Sequence, residues 1–167
     1  MRRTTALLGS AVFFVLVPCV LAGLVPWWIN GWRFQAAPFG VEALRVPGAL
    51  LILLGIPGLV DSFARFAIQG LGTPAPIAPT RTLVVTGLYR HVRNPMYVAV
   101  LLVIVGQAVL FADGRLIVYG ALFWAACHAF VIAYEEPTLA RKFGAQYEAY
   151  RTHVPRWMPR FTGWRLG

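Results

Sequence analysis

Two short segments hold most of the side chains able to do chemistry. Thr86-Gly87-Leu88-Tyr89-Arg90-His91-Val92-Arg93-Asn94-Pro95-Met96-Tyr97 offers two tyrosines beside a basic turn, and Tyr134-Glu135-Glu136 offers two adjacent carboxylates. Between them lie two apolar runs joined by the turn Asp113-Gly114-Arg115. Each run is about long enough to cross a bilayer. As antiparallel helices rising ~1.5 Å per residue, the runs return Glu135 and Glu136 to the surface that carries Asn94, Pro95 and Tyr97. A cation held there would meet a carboxylate on one side and the faces of Tyr89 and Tyr97 on the other. Each ring face would add ~0.5–2 kcal/mol, depending on desolvation. Either carboxylate could also take a proton from a nucleophile. Glu135 and Glu136 are therefore the candidate catalytic residues.

Each of these residues also has a plainer role. Glutamates before Pro137 suit the start of a new helix, where the dipole favours negative charge and proline fits the first turn. That pairing predicts a break between the membrane span and a following helix. Asn94 before Pro95 is ordinary helix-start chemistry, although the free amides of such a start also suit a ligand carboxylate or hydroxyl. Tyrosine at a membrane interface is common. Asp61 and Arg65 lie one helical turn apart and read as a structural ion pair. His128 reads as a hydrogen-bonding group of the bundle. Cys19 and Cys127 fall in apolar runs without metal-ligand or disulfide spacing and read as small buried hydrophobes. The sequence shows no zinc spacing, phosphate-cradling glycine loop or nucleophile elbow.

These residues need a membrane scaffold to position them. Of 167 residues, 59% are hydrophobic and only 13% charged, against roughly a quarter charged in soluble domains. Four apolar segments can be marked, at 5–25, 46–68, 96–112 and 116–133. Arg2-Arg3 and Val20-Leu21-Ala22-Gly23 resemble a signal peptide, but the apolar stretch is long for one and three further spans follow, so a retained helix is expected. The net charge of +9 does not point to nucleic acid, because the basic residues flank apolar runs rather than aromatic readout positions. Only Arg33, Arg45 and Arg115 fall on one side; the other twelve of the 15 basic residues fall on the side of both termini, which is therefore cytoplasmic. Trp27, Trp28 and Trp32 then anchor the outer interface. The proline-rich loop 72–80 forbids a helix. Arg81 to Thr86 is suited to lie extended against a ligand, and Gly87 can turn the chain. Leu139, Phe143, Tyr147 and Tyr150 recur at helical steps and predict a cytoplasmic helix, ended by the prolines of Val154-Pro155-Arg156-Trp157-Met158-Pro159.

The second half of the chain resembles the isoprenylcysteine carboxyl methyltransferase and phospholipid methyltransferase superfamily. The resemblance rests on Thr86-Gly87-Leu88-Tyr89, Arg93-Asn94-Pro95-Met96-Tyr97, Glu135-Glu136-Pro137-Thr138-Leu139, Phe143-Gly144-Ala145-Gln146-Tyr147-Glu148-Ala149-Tyr150 and Val154-Pro155, in that order. It implies S-adenosylmethionine as cofactor, touched by Arg81, Thr82, Leu83, Val84, Tyr89, Asn94, Pro95, Met96 and Tyr97, with Glu135 near the reacting groups and Glu136 its partner. Asn94 stands where the prenylcysteine enzymes carry histidine, and Val131 where they carry an arginine for the substrate carboxylate. An amine, a thiol or a different acid fits better as acceptor.

The expected protein is all-α and polytopic, with about four transmembrane helices in a single integral membrane domain over 1–167. Two spans occupy 1–68; a loop, a helical hairpin and a cytoplasmic C-terminal helix completing the cofactor site occupy 69–167. Its partners would be the bilayer and a lipid or small hydrophobic methyl acceptor, in a bacterial inner membrane by composition. A membrane reductase binding NADPH through Arg81, Arg90 and Arg93, and a non-catalytic membrane subunit, are the competing readings.

Overall fold

The computed structural model describes residues 17–36, 42–68 and 82–164. Every regular element among them is helical. Helix α1 (Val17–Asn30) contains a widened π turn at Val20–Leu24 and stops at Gly31, whose φ of 65° lies in the left-handed region. The described part of the first segment thus extends past Val25 to Asn30. A short 3₁₀ turn leads into α2 (Arg45–Ile68), and a 3₁₀ turn at Gly87–Arg90 precedes α3 (Pro95–Phe111). Asp113 caps α4 (Gly114–Phe130) by accepting from the Arg115 amide at 2.9 Å. A second π turn at Val131–Glu135 carries α4 into α5 (Glu136–Phe143), and Gly144 separates α5 from α6 (Ala145–His153).

Two of these helical stretches, Glu42–Arg65 and Gly114–Phe143, are long and apolar enough to cross a membrane. Only 17% and 22% of their apolar windows are buried inside the protein, unlike the core helix of a soluble domain. Leu53, Leu54, Val118 and Leu122 are instead 60–66% exposed, as lipid-facing residues must be. Trp27, Trp28 and Trp32 are likewise exposed.

α2 and α3 form the tightest pair. A Cβ built on Gly48 would lie 2.5 Å from the Leu110 amide nitrogen, and one on Gly55 would lie 2.8 Å from the Ala99 carbonyl oxygen. Small residues one face apart let two backbones touch where lipid supplies no hydrophobic drive. Leu59, Phe63, Val100, Val103 and Ile104 fill the seam. A second cluster, Val85, Tyr147, Tyr150 and Val154, packs α6 under the extended segment before Gly87.

The helix break expected at Pro137 is absent, and this is a correction. Proline clashes with the carbonyl four residues back and lacks the amide that would bond it. The π turn just before Pro137 widens the helix at that point, so α4 continues into α5 as one 30-residue rod. The chain breaks at Gly144 instead, where φ is +49°.

Candidate functional site

The hairpin brings its two ends together. The Tyr97 hydroxyl, on the first turns of α3, donates to Glu135 Oε2 at 3.1 Å. Glu135 belongs to the π turn at the far end of the opposing arm, 38 residues later in sequence. π turns in membrane helices commonly mark functional positions, because they re-aim one side chain without ending the helix.

Glu135, Tyr97, Tyr89, Asn94 and Met96 line one cavity of about 250 Å³. These are five of the residues expected at the site, assembled from three separate elements. Glu136 does not line it. Its carboxylate accepts from Arg156 Nε at 2.6 Å and Nη2 at 2.9 Å, and from Arg93 Nη1 at 2.9 Å. The doublet is therefore divided between a residue facing the cavity and a residue locked in a two-arginine clamp. The Glu136 bond holds the Arg156 guanidinium above its ordinary pKa.

Pro95, Thr82, Leu83 and Val84 are not among the residues lining the cavity. Pro95 is buried at the first position of α3. Val84 is buried, Leu83 packs on the Tyr147 and Tyr150 cluster, and Thr82 is exposed beside them. Arg81 lies outside the described residues. Asn94 does not cap α3: its side-chain amide donates to the Arg156 carbonyl at 3.1 Å, tying the C-terminal tail to the corner. Main-chain bonds from Arg93 to Pro155, Arg160 to His91 and Trp164 to Arg90 fasten the same tail across the turn. The Tyr150 hydroxyl donates to the Tyr89 carbonyl at 2.7 Å, fixing the Tyr89 backbone. Burial raises the Tyr89 phenol well above its ordinary pKa, and the neighbouring Glu135 charge raises it further. Tyr89 is therefore a neutral ring in the cavity wall.

Apart from Cys127, several wall residues carry no motif that marks them in the sequence. Phe123, Cys127 and Phe130 face the cavity from α4 at steps of four and three, the spacing of a single helix face. Val17, Pro18 and Leu21 close it from α1, and Phe63 from α2. Cys127 thus lines a site and Cys19 is exposed, so neither is the buried core residue expected. Arg93 was visible in the motif, yet its bonds to Glu136 and to the Tyr147 hydroxyl come from distant sequence. Its Nε is buried without a hydrogen-bond partner. Asp61 pairs with Arg65 at 2.8 Å, and His128 accepts from Trp157 Nε1 at 3.0 Å, both as structural bonds. Among the described residues no group of three or more potential ligands could hold a metal.

A search of curated proteins returns no match. A family model described as phospholipid methyltransferase matches residues 44–146, more than half of the chain. That range contains α2, the Gly87 turn, both arms of the hairpin and the acidic doublet. The chain belongs to the phospholipid methyltransferase family, within the isoprenylcysteine and phospholipid methyltransferase superfamily.

Proposed function

We propose that this protein transfers a methyl group from S-adenosylmethionine to a lipid or small hydrophobic acceptor at the cytoplasmic face of a membrane. The observation that carries the reading is the Tyr97–Glu135 pair inside a cavity whose other walls are apolar helices. Four spans are proposed, α1 to α4, with α5, α6 and the tail on the cytoplasmic side.

The residues present suit this cofactor. Glu135 is the one carboxylate among the described lining residues, and the lone basic lining residue, Arg93, is already paired with Glu136. A positive centre is therefore favoured beside Glu135, and the orphaned Arg93 Nε offers a donor for an anionic oxygen. When bound, S-adenosylmethionine supplies a methyl on a positively charged sulfur, already electrophilic. The chain has then to orient, dehydrate and handle one proton. Tyr97 holds the Glu135 carboxylate in one rotamer by its hydroxyl bond. Tyr89 and Tyr97 present ring faces to positive charge. Phe123, Phe130 and Leu21 exclude water. Glu135 accepts the proton released by an amine nucleophile. Glu136 acts through the arginines it binds, as a positioning residue. Thr82, Leu83, Val84 and Pro95, with Arg81, complete the cofactor's surroundings.

The test is transfer of label from methyl-labelled S-adenosylmethionine into organic-extractable product by purified protein. Wild type should transfer label and Glu135→Gln should lose it while still folding. Binding of NADPH in place of S-adenosylmethionine would overturn the reading.

A further inference from the structure

Proline at position 26 interrupts the bonding of α1. Pro26 is fully buried and has no amide hydrogen. It stands five residues after Leu21 and four after Ala22, the spacings of a π and an α bond, so neither carbonyl receives an N–H from position 26. Inside a bilayer no water replaces that donor.

Two side chains from other helices supply it. The Tyr119 hydroxyl, on α4, donates to the Leu21 carbonyl at 2.8 Å. The Gln107 side-chain amide, on α3, donates to the Ala22 carbonyl at 2.6 Å. Gln107 Oε1 in turn accepts from the Trp32 indole at 3.2 Å, which fixes the orientation of the amide. Gln107 is buried, and a buried amide within a span is costly unless it is bonded. These bonds join residues 75 to 98 positions apart, so they fix α1 against α3 and α4 rather than shape it locally.

The bonded carbonyls lie where α1 forms a wall. Leu21 gives its carbonyl to Tyr119 and its side chain to the Glu135 cavity, which Val17 and Pro18 also line one turn earlier. Neither Gln107 nor Tyr119 lines that cavity. Between α1 and α2 runs an open apolar groove of about 710 Å³ bordered by Ala22, Gly23 and Ile56, and a Cβ built on Gly23 would meet nothing within 4 Å. Hydrogen bonds rather than close packing on α2 therefore hold this turn.

We infer that Gln107 and Tyr119 are positioning residues: by bonding the two carbonyls that Pro26 cannot serve, they fix α1 as a wall of the Glu135 cavity. On the proposed function, which this consequence alone rests on, they set the space left for the methyl acceptor beside Glu135.

Cys127 lines the same cavity and reports on the wall without turnover. In a Cys19→Ser background, protein in non-ionic detergent is treated with N-ethylmaleimide, and alkylation of Cys127 is followed by mass spectrometry. Gln107→Met keeps the size of the side chain and Tyr119→Phe keeps the ring. Each removes one donor and should speed alkylation about fivefold, the local opening expected from one lost buried bond. An amide at position 26 can bond either carbonyl, so adding Pro26→Ala should return both variants toward the parent rate. General destabilisation would show no such rescue. Unchanged alkylation in both variants, or acceleration that Pro26→Ala leaves in place, would overturn the inference. Tyr119→Phe removes a single oxygen, so its result decides the matter if a Gln107 variant fails to fold. Acceleration and rescue in a protein that transfers no methyl group would sink the proposed function alone.

Discussion

Replacing Arg156 by alanine tests the division of labour between the two glutamates. Arg156 gives Glu136 two hydrogen bonds, at 2.6 and 2.9 Å, and the Glu136 side chain is only 13% exposed. Removing one partner of a buried pair costs about 3–5 kcal/mol. Arg156 is itself 31% exposed and Arg93 remains on Glu136, so screening and the surviving bond reduce the expected loss to about 2–3 kcal/mol. At about 2–4 °C per kcal/mol for a chain of this size, that is a fall of about 4–12 °C in melting temperature. A thermal-shift assay in detergent should read it directly. Glu136→Gln combined with Arg156→Ala should cost less than the sum of the singles, by about 1 kcal/mol or more. S-adenosylmethionine affinity should weaken only as far as the corner loosens. A melting temperature unchanged by Arg156→Ala, or strictly additive variants, would refute the clamp as a support for the site.

Three further outcomes follow from the same geometry. Tyr97→Phe keeps the ring and removes the bond to Glu135, worth about 1.5–3 kcal/mol for a charged acceptor, so kcat/KM should fall by about tenfold or more without loss of folding. Gly48→Ala places a methyl against the Leu110 backbone and must push α2 from α3; the yield of monodisperse protein and its melting temperature should both fall. Asp113, bonded to Arg115 and Asn30, has its carboxyl held well below the ordinary range, chiefly by the Arg115 bond. A lowered folded-state pKa adds stability above the unfolded value of about 4 and loses it as pH falls toward the folded value. Wild type should therefore lose stability between about pH 4 and pH 2, and Asp113→Asn should show a smaller loss there from a lower starting point; equal acid profiles would contradict this.

The hairpin and its register were legible because two arms of similar length joined by a tight turn leave one alignment for their ends. That is why Glu135 and Tyr97 meet. The same arithmetic could not divide the doublet. Which glutamate faces the cavity depends on the π turn at Val131–Glu135, where one extra residue per turn rotates the helix by a fraction that hydropathy does not encode. The tail was equally hidden. Arg156 and Trp157 reach Glu136 and His128 from 20 and 29 residues away, and nothing local in Val154 to Pro159 specifies those partners. Gly144 looked like one more position of an amphipathic helix, because a glycine in a periodic run has the same pattern whether it continues or ends the helix. Asn94 read as a cap because its type and its following proline fit one; the Arg156 carbonyl competes for its side chain.

On the proposed function the chemistry turns on Glu135, whose charge can be probed at equilibrium. S-adenosylmethionine and S-adenosylhomocysteine differ by a methyl and the positive charge on sulfur. Calorimetry of both ligands with wild type and Glu135→Gln should show the variant losing about tenfold more affinity for the charged ligand than for the neutral one. Equal losses for the two, or none, would place the sulfur away from Glu135 and contradict the site described.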